Sequence, residues 1–230
     1  MSRKHPLPPA GLAGLVLAAF AASAGRSEEG KAVELFNGKD LTGWKTFIDP
    51  RDGGKTKPED IWSVKDGVII CKGKPFGYII TEKEYGDYVL EVEWRWAGKG
   101  GNSGVLCHVT GPDKIWPKSW EAQLFSGSAG DIWLVDGFKM LVSRTRQDPN
   151  PKRPQHYFRM KTDKPVEKPI GEWNKYRITC KDGTVKLEIN GQLVNEGRHA
   201  EKTKGKILLQ SEGAEVHFRN IKLTPIGAGK

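Results

Sequence analysis

From residue 33 onward, apolar positions recur every second residue. In Tyr88–Trp96, Leu90, Val92, Trp94 and Trp96 lie on one side, with Glu91, Glu93 and Arg95 between them. A period of two places successive side chains on opposite faces of an extended strand. Trp173–Lys181 repeats it with Tyr176, Ile178 and Cys180, and Val185, Leu187 and Ile189 follow. Between apolar runs stand Asp66-Gly67, Asp182-Gly183 and Asn190-Gly191. Such pairs suit two-residue hairpin turns, which need positive φ at both central positions.

Further short strands are expected at Val33–Phe36, Trp62–Val64, Val68–Cys71, Tyr78–Thr81, Lys206–Gln210 and Val216–Leu223. Asn37–Trp44 reads as a turn that brings Trp44 onto the core, and Asp49–Asp60 as a loop. The basic, Pro-rich segment Ser143–Glu172 reads as a long loop with one strand around His156–Lys161. No helical periodicity longer than a turn or two follows residue 24. The expectation is an all-β antiparallel sandwich in one domain over residues 33–226, after a linker at 25–32 and before a tail at 227–230.

The pattern singles out Lys99–Asp136. One strand core is Gly100–Val109 and the next Ser119–Ser126, separated by a polar excursion carrying Trp116. Alternation puts Glu121 and Gln123 on one face and Trp120, Ala122 and Leu124 on the other. It likewise pairs Leu106 with His108. If both strands share a sheet, a carboxylate, a carboxamide and an imidazole converge on one surface.

Composition narrows the class. The 230 residues include 28 Gly and 8 Trp, which suits short strands, turns and an aromatic-lined surface. Arg3 and Lys4, the apolar run Leu12–Ala22 and Ala22-Ser23-Ala24 form a signal-peptide pattern over residues 1–24. The expected location is therefore periplasmic or extracellular. The apolar run is too short to span a membrane. Formal net charge is +9, falling to +7 without Arg3 and Lys4, and the basic residues are interleaved with acids. Neither a nucleic-acid nor a membrane partner is indicated. Cys71, Cys107 and Cys180 sit in apolar runs and read as buried thiols, with one disulfide possible.

Six segments in order carry a resemblance: Phe36–Trp44, Asn102-Ser103-Gly104-Val105, Glu121-Ala122-Gln123-Leu124, Gly171-Glu172-Trp173-Asn174, Ile189-Asn190-Gly191, and Leu208-Leu209-Gln210 with Phe218-Arg219-Asn220-Ile221. Together they resemble the 3-keto-disaccharide hydrolase family over about Val33–Pro225. The resemblance implies a concanavalin A-like jelly-roll sandwich and action on oxidised disaccharides or glycosides. Two positions depart from the family. It often has Arg where His108 stands and His where Glu212 stands.

A 3-keto sugar has an acidified proton at C2, so elimination of the C1 oxygen followed by hydration gives net hydrolysis. That route needs a base, a group to hold the enolate oxygen and a proton for the leaving group. Glu121 or His108 is the expected base. Gln123, Asn102 or a bound cation can hold the oxyanion. A divalent cation such as Ca2+, with Glu121, Gln123 and Asp131 as oxygen ligands, is an open alternative. Double-carboxylate glycosidases of this fold carry Glu-x-Asp-x-x-Glu on one strand, whereas this chain has Glu121-x-Gln123-x-x-Ser126. The expected catalytic residues are Glu121 and His108; Asn102, Gln123, Trp116, Trp120, Asp131 and Trp133 are expected to bind sugar. The alternative is a carbohydrate-binding module without catalysis.

Overall fold

The computed structural model describes residues 30–147, 157–159, 166–201 and 204–227, with Met1. The signal-peptide pattern lies outside the described residues, as do His156, Met160 and Lys161 of the strand expected around His156–Lys161, within which Tyr157–Phe158 is a strand.

Two antiparallel sheets form the molecule, their strands numbered here in chain order. The larger runs β10 (Leu141–Val142), β14 (Gln192–Arg198), β13 (Thr184–Ile189), β12 (Asn174–Lys181), β6 (Tyr88–Trp96), β16 (Val216–Pro225), β4 (Val68–Cys71), β3 (Trp62–Lys65), with β1 (Val33–Glu34) also paired to β16. The other runs β11 (Tyr157–Phe158), β9 (Ile132–Val135), β8 (Lys118–Phe125), β7 (Asn102–Thr110), β15 (Lys206–Ser211), β5 (Gly77–Thr81), β2 (Trp44–Ile48). The expected all-β sandwich is the fold observed.

The hairpins form where the turn pairs stand. Asp66, Asp182 and Asn190 have φ of 51°, 49° and 51°, each followed by a glycine with positive φ. The alternating apolar faces meet between the sheets, where Leu90, Val92, Trp94, Val105, Trp120, Ala122, Tyr176, Ile178 and Leu209 share one buried cluster. Fully burying one such side chain is worth roughly 1.5–3 kcal/mol, so this cluster is the dominant favourable term.

Asn37 Oδ1 accepts from the N–H groups of Lys39 and Asp40, tightening the turn that delivers Trp44 to the core. Trp44 Nε1 then donates to the Leu35 carbonyl at 2.6 Å. The stretch expected to be all loop contains a 3-10 turn, Pro50–Asp52, and a turn of α-helix, Pro58–Ile61, which buries Ile61. The three cysteines are free and buried. On the outer face of the larger sheet, Glu91 pairs with Lys175 at 2.6 Å and Lys222 at 3.4 Å, and Glu93 with Arg219 at 2.8 Å. Among the described residues no helix is long and apolar enough to cross a membrane.

Candidate active site

The outward face of the smaller sheet carries the candidate site. Gly104 pairs with Gln123 and Leu106 with Glu121. Glu121 in turn pairs with Trp133. This register and the pleat bring Glu121, Gln123, Asn102 and Trp133 to one surface. They line a groove of about 370 Å³ together with Trp116, Val135, Asp136 and Glu212.

Two aromatic residues wall the groove. Trp133 packs on Tyr157 with ring centroids 4.4 Å apart, and Trp116 stands edge-on to Phe76 at 6.4 Å. The loop carrying Trp116 is held to the sheet by Tyr78, whose hydroxyl donates to Asp113 Oδ1 at 3.2 Å.

Gly104 is glycine for room. A methyl group there would overlap Glu121 Oε1 and Gln210 Oε1 and stand 2.9 Å from Glu121 Cδ. The side chains of Glu121 and Gln210 thus pass over a gap in β7 that any larger residue would fill. Asn102-Ser103-Gly104 is part of a regular strand, so the motif serves the floor of the groove.

Glu121 is 6 % exposed. Burial pushes its carboxyl well above the usual carboxylate range, and the Glu212 charge adds to the shift. Glu212 is raised to about 7, also by burial, against a lowering hydrogen bond from Asn102. Two carboxyls therefore face one groove with different proton affinities. Environments that separate paired acids in this way separate proton donor from acceptor.

The amide of Gln123 lies between them. Its Nε2 donates to Asn102 Oδ1 at 3.1 Å, and its oxygen faces Glu121 Oε1. That arrangement suits a protonated Glu121 donating to Gln123. An ionised Glu121 suits the amide turned over, with its nitrogen donating to Glu121 Oε1 and the Ser103 carbonyl. A chain of amides, Gln123 and Asn102, thus links the two carboxyls.

Three of the expected site residues lie elsewhere. His108 does not share the groove. One extra residue in β7 shifts the register after Cys107, and His108 takes φ 52°. Such a bulge exchanges the faces of the residues that follow. Val109, in place of His108, joins Leu106 in an apolar cluster with Tyr78, Ile80 and Leu208. The imidazole instead stands edge-on to Tyr88, 5.3 Å between centroids, with Nε2 3.0 Å from the Gly86 carbonyl oxygen. It lines a separate cleft with Cys180, Lys181 and Val185, and burial lowers its pKa.

Trp120 is fully buried between the sheets and presents no face to a sugar. Asp131 is 2 % exposed and accepts from the Tyr157 hydroxyl, so it steadies the wall behind Trp133. Among the described residues no group of three His, Cys, Asp or Glu is placed to hold a metal ion.

Sequence reasoning noted Glu212 only as a departure from the family and did not place it in the site. It follows Leu208 and Gln210 at two-residue spacing, just past the end of β15, which is the signal that finds it.

Comparisons with known proteins agree with this architecture. A 3-keto-disaccharide hydrolase of Bacteroides thetaiotaomicron is 28 % identical over 171 residues, covering 70 % of this chain and 55 % of the relative. The alignment thus spans about half that relative's length. A protein of Parabacteroides distasonis ATCC 8503, named as a candidate glycosyl hydrolase, is 29 % identical with a TM-score of 0.60, covering 85 % of this chain and 94 % of that one. The carbohydrate-binding module CBM66 of Bacillus subtilis has the same concanavalin A-like fold at 12 % identity and a TM-score of 0.55, covering 79 % of this chain and 95 % of that one. The family model described as a 3-keto-alpha-glucoside-1,2-lyase-like domain matches residues 31–224, and the chain belongs to that family.

Proposed function

We propose that this protein is an exported enzyme that cleaves the glycosidic bond of 3-keto-glycosides by elimination followed by hydration. The observation that carries the reading is the pair Glu121 and Glu212 in one aromatic-walled groove, one carboxyl held neutral and the other poised near neutrality.

The ionised Glu212 takes the proton from C2 of the oxidised ring. The electron pair left on C2 passes to the 3-oxo oxygen as an enolate. Collapse of the enolate restores the carbonyl, forms the C1–C2 double bond and breaks the bond from C1 to the leaving oxygen. Neutral Glu121 gives that oxygen its proton. Water then adds across the double bond: Glu121, now a carboxylate, takes one proton as the hydroxyl joins C1, and Glu212, whose proton exchanges with solvent as water enters, protonates C2. Both residues end as they began, and the net change is hydrolysis.

His108 has no part in this scheme. Asn102 favours the ionised form of Glu212 and Gln123 faces the Glu121 carboxyl, while Trp116 and Trp133 offer ring faces to the sugar. Incubation with a 3-keto-disaccharide and with its unoxidised parent tests the reading. Release of the two sugars from the oxidised compound alone is expected. Binding of both compounds with cleavage of neither would instead favour a carbohydrate-binding role.

A further inference from the structure

Three carboxamides stand on the groove face of the smaller sheet. Asn102 and Gln123 are committed to each other and to the two carboxyls. Gln210 is not. It is 2 % exposed, yet neither Nε2 nor Oε1 has a hydrogen-bond partner among the described residues. A buried, unpaired carboxamide is costly, on the order of 1–3 kcal/mol, and native structures rarely leave one without use.

Its position is also specific. Gln210 extends from β15 toward the space above Gly104, where a methyl group would overlap both its oxygen and Glu121 Oε1. Its main chain is fixed independently: the Gln210 carbonyl accepts from Ser103 Oγ at 2.9 Å, and Gln210 pairs with Tyr78 of β5. Glu212, two residues on, lines the groove. The side chain is therefore delivered by a rigid strand to a point beside the proton donor, with two N–H groups unassigned.

We propose that Gln210 is the residue that recognises the oxidised carbon: its side chain turns up from beneath the groove-lining residues as the sugar binds, and its Nε2 donates to the 3-oxo oxygen and holds the negative charge that develops there in the enolate. The assignment rests on the elimination reading above. An N–H donor of this kind acts most strongly in the transition state, where the oxygen is charged, and typically contributes on the order of 10²-fold in kcat. It also discriminates, because a hydroxyl at C3 offers no comparable charge for it to stabilise.

The test is Gln210→Met, which keeps length and volume and removes both amide atoms. With the 3-keto-disaccharide, kcat is expected to fall on the order of 10²-fold with little change in KM. Affinity for the unoxidised parent, measured by calorimetry, is expected to stay put, and Tm to hold or rise because an unpaired buried amide is gone. In parallel, the side-chain amide resonance of Gln210 in 15N-labelled wild type is expected to shift with the oxo sugar and not with the parent. This second measurement needs no variant to fold.

Wild-type turnover of the oxo sugar with an unaltered kcat in the variant, or an unmoved amide resonance, would overturn the role of Gln210 and leave the elimination reading intact. A wild-type protein that neither cleaves nor prefers the oxo sugar would overturn both.

Discussion

Glu121 and Glu212 reach one groove from strands that are not neighbours, β8 and the end of β15, with β7 running between them. Gly104 of β7 leaves the space over which Glu121 and Gln210 extend. Burial raises both carboxyls, and the charge on Glu212 raises Glu121 further.

The first consequence concerns the pH profile. Glu212, at about 7, must be ionised to take the C2 proton, while Glu121 must keep its proton. The rate on a 3-keto-disaccharide should rise with pH through about 7 and fall again at higher pH as Glu121 ionises. Glu212→Gln should abolish turnover. A rate that declines from pH 5 to 7 would assign the roles wrongly.

Stability should follow the opposite trend. A carboxyl whose folded pKa is raised binds its proton more tightly folded than unfolded, so its contribution declines as pH climbs above the unfolded value near 4.5. For Glu212 the loss between there and about 7 is at most about 3 kcal/mol. Glu121→Gln and Glu212→Gln should therefore match wild type in Tm at pH 4 and exceed it at pH 8. Thermal unfolding at both pH values checks this.

Gly104→Ala is expected to damage activity more than folding. The added methyl meets the tips of two side chains, Glu121 and Gln210, which must move away. Misplacing a reacting group by about 1 Å costs on the order of 10²-fold in rate. Circular dichroism should remain that of the wild type while kcat/KM drops by that order.

His108→Asn separates the structure from the simple alternation of β7. Asparagine tolerates the positive φ but loses the edge contact with Tyr88. Stability should fall by about 1 kcal/mol, with kcat/KM unchanged. A large loss of kcat in a folded variant would return the imidazole to the chemistry.

Much of the architecture was legible because strand alternation and Asp-Gly or Asn-Gly turns are local. Tyr88–Trp96 and the hairpins from residue 173 onward read directly. Glu121 and Gln123 were legible as one face for the same reason, whereas Trp116 and Trp133 stood out as aromatic residues beside polar loops. The bulge at His108 was not, since a single inserted residue leaves the apolar pattern of β7 intact while exchanging every later side chain. The alternation that put Glu121 outward also put Trp120 inward, so its place in the core was implicit. Glu212 and Gln210 were hidden for a different reason: β15 joins β7 across the sheet, about a hundred residues further along the chain.

The most direct test of the elimination account is turnover of a 3-keto-disaccharide in D2O, with the released oxo sugar examined by NMR and Glu212→Gln as the control for spontaneous exchange. Deuterium at C2, acquired with each turnover and absent in the control, is the predicted result. Cleavage that leaves C2 protonated beyond background would mean direct displacement at C1 and would contradict the account.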